Sequence, residues 1–326
     1  MTDRMDGVRV LIYSHDTFGL GHLRRCRTIA HALVEKYKGL SVLILSGSPI
    51  IGSFDFRARV DFVRIPGVIK LYNGEYTSLG LHLDLSQTMA IRASIIRHTA
   101  EIFAPDLFIV DKEPLGLRGE LQETLSIMKS RGTTLVLGLR DIMDEPTLLR
   151  REWTSRNLLP VLEGVYDEIW VYGHHEFWDP LAEMDVPASV REKMTYTGYL
   201  QRTVPKATKL PPAINLDQPY LLVTAGGGGD GDRMMDWVLR AYELEDELMR
   251  AVLVLGPFMR SEMQTEVRDR ASKLSRVEVR TFETHLELMM EKAVGIVAMG
   301  GYNTFCEILS LDKAALIMPR VAPRKE

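Results

Sequence analysis

Three glycine-containing segments each join an apolar run to a helical pattern, and each could bind an anionic ligand. They are Gly19-Leu20-Gly21-His22, Gly226-Gly227-Gly228-Gly229 and Gly300-Gly301-Tyr302-Asn303-Thr304. Glycine has no Cβ, so a ligand can approach the backbone closely. The amide groups at the start of a helix also favour negative charge. Together these properties indicate ligand binding at one place in the first half of the chain and two in the second.

The first segment could carry a catalytic base or form only a turn. It does not match GxGxxG, and Ser46 rather than an acidic residue closes the second predicted strand, so an NAD site is not indicated. Two interpretations stay open. In one, Gly19 and Gly21 form a ligand-binding loop that presents His22. In the other, the glycines only turn the chain and His22 only caps the helix.

The other two segments lie where parallel sheets bind ligands, at the carboxyl end of a strand. The second lacks the ending of a Walker loop, and a merely flexible loop is the alternative. In the third, Asn303 or Thr304 is predicted to cap the helix. Glu307 follows one helical turn later, where its carboxylate could accept hydrogen bonds from a ribose. The alternative for Glu307 is a carboxylate on the helix surface.

Polar residues also follow strands in the first half. Asp111 ends the run 107–111, and the ligand edge of such a sheet favours a function for it. Arg140 and Asp141 are interpreted equally well as a structural ion pair. The run His174-His175-Glu176 does not match HExxH, so no metal site is predicted there.

These motifs are positioned by strands that alternate with helices. In the first half, strands are predicted over residues 8–14, 40–46, 60–65, 107–111, 133–139, 168–172 and 194–197, and helices over 23–36, 84–103 and 121–130. In the second half, strands are predicted over 220–224, 251–255, 277–281, 294–298 and 314–318, and helices over 234–244, 262–274, 285–292 and 304–311. Such alternation predicts parallel βαβ units.

A proline-containing segment separates the two halves. Residues 201–219 show no periodicity and are predicted to be a linker between domains over residues 1–200 and 220–326. A length of 326 residues suits two α/β domains. Because no helix is predicted after the last strand, we expect the C-terminal domain to be incomplete.

Charge and cysteine usage favour a cytoplasmic protein without a nucleic-acid partner. The 40 basic and 44 acidic residues nearly balance, and the two cysteines lie in no CxxC run. Neither a signal peptide nor a long apolar run is present. Arg24, Arg25 and Arg27, with the apolar loop 79–85, leave peripheral contact with the inner face of a membrane as an alternative. We expect instead a solvated arginine face and a buried loop.

The third glycine segment resembles the donor-binding motif of GT-B glycosyltransferases. Gly300-Gly301-Tyr302-Asn303-Thr304 with Glu307 looks like that motif, and Gly21-His22 is similar to the Gly-His loop of the same enzymes. The nearest resemblance is to the MurG-like enzymes of the GT28 family, and a more distant one is to the UDP-glucuronosyltransferases. The resemblance implies an α/β GT-B fold, in which two Rossmann-like domains face each other across a cleft.

The same resemblance implies a UDP-linked sugar donor bound by the second domain. It places Glu307 on the ribose, and it places near the phosphates Gly300, Gly301, Asn303 and Thr304. Phe282 begins a stretch, residues 282–288, that is similar to the one whose backbone meets the base. Residues 319–326 resemble a loop that usually ends in glutamine. Gly226, Gly227 and Gly228 complete the expected donor site, and no cofactor or metal ion is expected.

These features predict an inverting glycosyltransferase whose acceptor is an unidentified glycan, lipid or small molecule. Inversion needs a group that takes the proton of the acceptor hydroxyl. We expect His22 to do so, kept neutral by the helix N-terminus, with Asp111 on the other ring nitrogen to fix the tautomer. The alternatives are a nucleotide-sugar hydrolase or epimerase, and a non-catalytic sensor of sugar nucleotides.

Overall fold

The computed structural model of the chain describes residues 3–16, 20–70, 75–204, 218–283 and 286–320. The chain divides into two compact units, residues 1–200 and 201–326. Gly19, most of the predicted linker and residues 321–326 lie outside the described residues.

The first unit is built on a sheet of seven parallel strands. The strands of this unit are β1 (Asp3–Arg4), β2 (Arg9–Ser14), β3 (Tyr37–Lys38), β4 (Ser41–Ser46), β5 (Val60–Arg64), β6 (Val68–Lys70), β7 (Tyr76–Ser78), β8 (Leu107–Asp111), β9 (Thr134–Arg140), β10 (Glu168–Tyr172) and β11 (Met194–Tyr196). Its helices are α1 (Gly21–Lys36), α2 (Leu85–Phe103), α3 (Gln122–Ser130), α4 (Pro146–Ser155), α5 (Leu159–Gly164) and α6 (Ala188–Arg191).

The strand order creates a switch point beside β2. Across the large sheet the order is β11-β10-β9-β8-β2-β4-β5, while β1 pairs with β3 and β6 with β7. The chain therefore adds strands first on one side of β2 and then, from β8 onwards, on the other. This is the doubly wound order, in which ligands bind at the carboxyl ends of the two strands where the direction reverses. In the first unit those strands are β2 and β8.

The second unit repeats this arrangement with five parallel strands. Its strands are β12 (Leu221–Thr224), β13 (Ala251–Val254), β14 (Val277–Arg280), β15 (Gly295–Met299) and β16 (Ala315–Met318), and its helices are α7 (Asp232–Leu244), α8 (Ser261–Ala271), α9 (Leu286–Lys292) and α10 (Tyr302–Ser310). The order is β14-β13-β12-β15-β16. The switch point of this sheet consequently lies between β12 and β15.

A buried ion pair ties α2 to the first sheet. The helix begins where the Asp84 carboxylate accepts a hydrogen bond from Gln87 N at 2.7 Å. Its buried face includes Arg92, whose Nε and Nη2 donate to the two Glu120 oxygens at 2.7 and 2.6 Å. Tyr13 of β2 donates to Glu120 Oε1 at 2.5 Å. Both charged groups are buried, so each needs the other to avoid a large desolvation cost.

One sequence prediction about the first unit is wrong, and three of its helices were not predicted. Leu79 and Leu81 are 42% and 47% exposed, so the loop expected to be buried lies at the surface. Helices α4, α5 and α6 were not predicted, because runs of 10, 6 and 4 residues are too short for helical periodicity to stand out. Among the helices in the described ranges, none is long and apolar enough to cross a bilayer.

Candidate functional site

His22 and Asp111 meet at the switch point of the first sheet. Asp111 is the last residue of β8, and His22 is the second residue of the helix that follows β2. The two strands are paired, with Tyr13 opposite Val110. Their carboxyl ends therefore lie side by side, and the two side chains converge although they are far apart in sequence.

Arg25 joins them to form a three-residue cluster. His22 Nδ1 lies 2.5 Å from Asp111 Oδ2. Arg25 donates from Nε to Asp111 Oδ1 and from Nη2 to Asp111 Oδ2, both at 2.7 Å. Arg25 Nη2 also lies 3.1 Å from His22 Nδ1. The Asp111 and Arg25 side chains are almost fully buried, whereas that of His22 is 17% exposed.

These contacts assign the tautomer of His22. An ionised carboxylate only accepts hydrogen bonds, so His22 Nδ1 carries a proton and donates it to Asp111 Oδ2. A guanidinium only donates, so Arg25 cannot accept this proton. The other ring nitrogen, Nε2, then carries the lone pair. The structure thus brings His22 and Asp111 together as expected, with the imidazole in the tautomer that can accept a proton.

The charges in the cluster set its protonation. Burial alone would raise the pKa of Asp111, but the Arg25 guanidinium and then His22 hold that pKa well below its ordinary value. For His22, burial lowers the pKa below its ordinary value of 6.5, and Asp111 offsets this only in part. Asp111 is therefore ionised and His22 neutral at pH 7.

Further polar groups surround the cluster. The rings of His15 and His22 are 5.6 Å apart and nearly perpendicular. Asp16 accepts a hydrogen bond from Ser46 Oγ at 2.5 Å, and burial raises its pKa. Burial also lowers the pKa of His15 far below its ordinary value. The carboxyl edge of the first sheet thus carries several buried polar groups beside His22 and Asp111, and the sequence analysis assigned a ligand or a catalytic role to none of them.

The structure decides against two sequence interpretations of this region. The N-cap of α1 is Leu20, without a side-chain hydrogen bond, so His22 does not cap the helix. Arg25 is 2% exposed, so the expectation of a solvated arginine face is wrong for this residue. Arg27 behaves differently, because its Nε donates to Asp55 O at 2.7 Å.

The other polar residues that the sequence analysis named in the first half lie in different environments. Asp141 is buried and accepts a hydrogen bond from Tyr199 OH at 2.7 Å. The His174 and Glu176 side chains are 55% and 85% exposed, with 4.0 Å between Nδ1 and Oε2. Within the described ranges there is no group of three or more metal-binding side chains.

In the second unit the glycine-rich loop after β12 packs against backbone. Gly228 and Gly256 both have φ +91°, and a Cβ on Gly256 would lie 2.5 Å from Gly227 C. Phe258 N donates to Gly227 O at 2.9 Å. The loop therefore needs glycine for close packing, which disfavours the alternative of a merely flexible loop. Two of its amides are already engaged, because Gly226 N donates to Thr224 Oγ1 and Gly228 N to Ala225 O, both at 3.2 Å.

The segment after β15 turns on two glycines and then starts α10. Gly300 N donates to Met318 O at 2.7 Å, and Gly301 N donates to Met299 O at 2.8 Å. The N-cap is Gly301, so the prediction that Asn303 or Thr304 caps this helix is wrong. Both lie in its first turn, before the bond from Phe305 N to Gly301 O. The amides of both glycines thus already donate to backbone oxygens, whereas the positive end of the helix dipole favours an anion at the first turn of α10.

The polar side chains around α10 are mostly buried. Glu307 is 0% exposed, so the alternative of a surface carboxylate is wrong. A ribose would reach this carboxylate only after neighbouring groups have moved. Asn303 accepts a hydrogen bond from Arg202 Nη2 at 2.5 Å. Thr304 is 6% exposed, and Phe282 is half-buried just after β14.

Arg320 was missed by the sequence analysis. It lies two residues after the end of β16, at the same sheet edge as the glycine segments. Its Nε is 3.1 Å from Asp230 Oδ2. Its guanidinium nitrogen Nη2 would be 3.5 Å from a Cβ on Gly301. The signal that could have found it is its position, one residue after a proline that closes the last strand.

Several solved structures share the architecture of this chain. Phytolacca americana UGT2, complexed with UDP-2fluoro-glucose and pterostilbene, is 14% identical over 96% of this chain and 81% of that chain, with a TM-score of 0.63. UDP-GlcNAc 2-epimerase from Neisseria meningitidis bound to UDP-GlcNAc is 14% identical over 96% and 83%, with a TM-score of 0.60. Acinetobacter baumannii MurG is 12% identical over 97% and 79%, with a TM-score of 0.51.

At these identities the similarity concerns the fold. No protein-family model matches the sequence, and the comparison with curated proteins gave no match. The similar structures include glycosyltransferases and epimerases, and they do not single out the MurG-like enzymes. The predicted α/β class is confirmed: the chain has parallel, Rossmann-like sheets and matches structures with the GT-B fold.

Proposed function

We propose that the protein is an inverting, metal-independent glycosyltransferase that takes its sugar from a UDP-sugar. The observation that carries this proposal is the 2.5 Å contact between His22 Nδ1 and Asp111 Oδ2. It leaves Nε2 of a neutral imidazole as a proton acceptor, which the attack of a hydroxyl group requires. The UDP or UDP-sugar bound in four of the similar structures supports a UDP-linked donor.

In the proposed reaction, His22 Nε2 takes the proton of the acceptor hydroxyl as its oxygen attacks the anomeric carbon. The bond between that carbon and the diphosphate oxygen breaks, and UDP leaves from the opposite face of the sugar. Asp111 stabilises the imidazolium that forms. The first-turn amides of α10 would stabilise the negative charge on the leaving diphosphate. Glu307 would accept hydrogen bonds from the ribose, and Phe282 would lie near the base.

A nucleotide-sugar epimerase or hydrolase is the second candidate. The Neisseria meningitidis epimerase is nearly as similar in fold to this chain as Phytolacca americana UGT2 is, with TM-scores of 0.60 and 0.63. A hydrolase would need only water in place of the acceptor hydroxyl. Both activities would use the same donor-binding residues, so donor binding alone does not separate them from a transferase.

Donor turnover separates the candidates. The full chain is incubated with UDP-glucose, UDP-GlcNAc and UDP-glucuronic acid, with and without a panel of glycan, lipid and phenolic acceptors, and UDP release is measured. A transferase releases UDP only with an acceptor, its product has the inverted anomeric configuration by NMR, and EDTA leaves the rate unchanged. Release without an acceptor would indicate a hydrolase, and a new C2 epimer would indicate an epimerase. Binding of a donor without turnover would indicate a sensor.

A further inference from the structure

Arg25 lies in the cluster of the candidate base but has no place in the reaction itself. It is one helical turn after His22 on α1, and both of its bonds to Asp111 are 2.7 Å long. Only 3% of its side chain is exposed. A charged side chain is buried in this way only when its partner matches it closely.

We infer that Arg25 is a positioning residue, whose guanidinium fixes the Asp111 carboxylate and through it the orientation and charge state of the His22 imidazole. This inference rests on the proposed role of His22 as the base. It assigns to Arg25 no contact with donor or acceptor.

The geometry gives the first argument. Arg25 occupies both oxygens of Asp111 in a fork, which holds the plane of the carboxylate. One of those oxygens, Oδ2, is also the partner of His22 Nδ1. A carboxylate held at both oxygens cannot rotate away from the ring. The imidazole is therefore kept in the tautomer that has its lone pair on Nε2.

Charge balance gives the second argument. Arg25 neutralises Asp111, and the nearby Lys112 Nζ lies 3.5 Å from Glu113 Oε1. The other titratable groups that face His22 are His15 and Asp16, both buried, and burial disfavours a charge on either. An imidazolium at His22 would then be a net positive charge in a buried cluster. Without Arg25, the same imidazolium would be the counterion of Asp111.

Two substitutions separate these effects. Arg25→Gln removes the charge, so Asp111 should stabilise the imidazolium and the titration of His22 should move to higher pH. Arg25→Lys keeps the charge but loses the paired bonds to both oxygens of Asp111. The titration of His22 should therefore stay near that of the wild type, while its imidazole becomes a mixture of the two neutral tautomers. Arg27→Gln is the matched control, because Arg27 is on the same helix and donates instead to Asp55 O.

The measurement is ¹⁵N NMR of the histidine side chains in the full chain, with the His22 signals identified by their loss in His22→Gln. We expect Arg25→Gln to raise the titration midpoint by about one pH unit or more and Arg25→Lys to change it by less than about half a unit. The acid limb of kcat should move upward by the same amount in Arg25→Gln. Arg27→Gln should match the wild type in both readouts.

A folded Arg25→Gln protein with the wild-type midpoint and tautomer would overturn the inference. If Arg25→Gln does not fold, Arg25→Lys decides alone: a mixed tautomer supports the inference, and the wild-type tautomer overturns it. The NMR readout needs no turnover. A chain that shows these shifts but consumes no nucleotide sugar would therefore contradict the proposed function and leave the assignment of Arg25 intact.

Discussion

The two switch points occupy equivalent places in their sheets but are built from different groups. Between β2 and β8 the chain brings together the side chains of His22, Arg25 and Asp111. Between β12 and β15 it brings together glycine turns and a helix N-terminus, and a Cβ on Gly228 would come within 2.5 Å of Leu255 O. The switch point of the first sheet is formed by titratable side chains, and that of the second sheet mostly by backbone.

Under the proposed function, this difference assigns proton transfer to the first unit and donor binding to the second. A histidine held by a carboxylate can change its protonation during a reaction, which suits proton transfer. Backbone amides and a helix dipole carry fixed partial charges, which suit a ligand whose charge does not change. Substitutions in the first unit should therefore alter kcat, and substitutions in the second should alter donor affinity or the loop that supports it.

The largest effect is expected at the candidate base. His22→Ala should lower kcat about a hundred-fold or more and leave UDP affinity nearly unchanged, because only the proton acceptor is lost. Asp111→Asn should act in the same direction with a smaller effect. Steady-state kinetics and calorimetry with UDP measure the two quantities. If His22→Ala weakened UDP binding and left kcat intact, the division between the two units would be broken.

The next largest effect is expected at the glycine loops. Gly256→Ala places a Cβ at φ +91° and 2.5 Å from backbone, so the free energy of unfolding of the second unit should fall by about 2 kcal/mol. UDP affinity should fall with it. Urea unfolding measures the first quantity. Gly226→Ala is the control in the same unit, because its φ is also positive, +64°, but a Cβ there comes no closer than 4.0 Å to another residue. An equally large loss of unfolding free energy in that variant would exclude local crowding as the cause.

Glu307 should show the effect of one buried carboxylate on donor binding. Glu307→Ala should weaken UDP binding at least several-fold, since a charge-assisted hydrogen bond to the ribose is worth roughly 2 kcal/mol. Glu291→Ala, at an exposed position of α9, is the matched control. Calorimetry gives both affinities. Equal affinity in the wild type and Glu307→Ala would remove Glu307 from the donor site.

The smallest effect is expected at Arg320. Arg320→Met should weaken UDP binding by a few-fold and uridine binding less, because a partly exposed cation contributes roughly 1 kcal/mol or less. Asp230→Asn should have the opposite effect, since Asp230 competes with a phosphate for the Arg320 guanidinium. Identical changes for UDP and uridine would show that Arg320 does not sense the phosphates.

Strand positions were predictable because they depend on local composition. β8 and β10 occupy the predicted residues 107–111 and 168–172, since strands buried on both faces appear as apolar runs with polar ends. Helix starts were less predictable. α10 begins at Tyr302 and α7 at Asp232, each two residues before the prediction, because glycine turns rather than side-chain caps set where these helices begin.

The contact between His22 and Asp111 could be expected from sequence, because two parallel strands of one sheet end at the same edge. The burial of Arg25 could not. Arg24, Arg25 and Arg27 are the same residue type at neighbouring positions of α1, yet of the three it is Arg25 that is buried and bonded to Asp111 at the end of β8. The sequence likewise did not indicate that Glu307, on α10, is fully buried.

The sequence by itself determined which runs form strands, where glycine turns the chain and which residues end the strands. These features follow from periodicity and backbone sterics, which act over a few residues. Only the tertiary structure decided which charged groups share one buried site. Arg25 and Asp111 are 86 residues apart in the chain. The cost of burying each charge is offset largely by the other, and the folded chain alone places them at 2.7 Å.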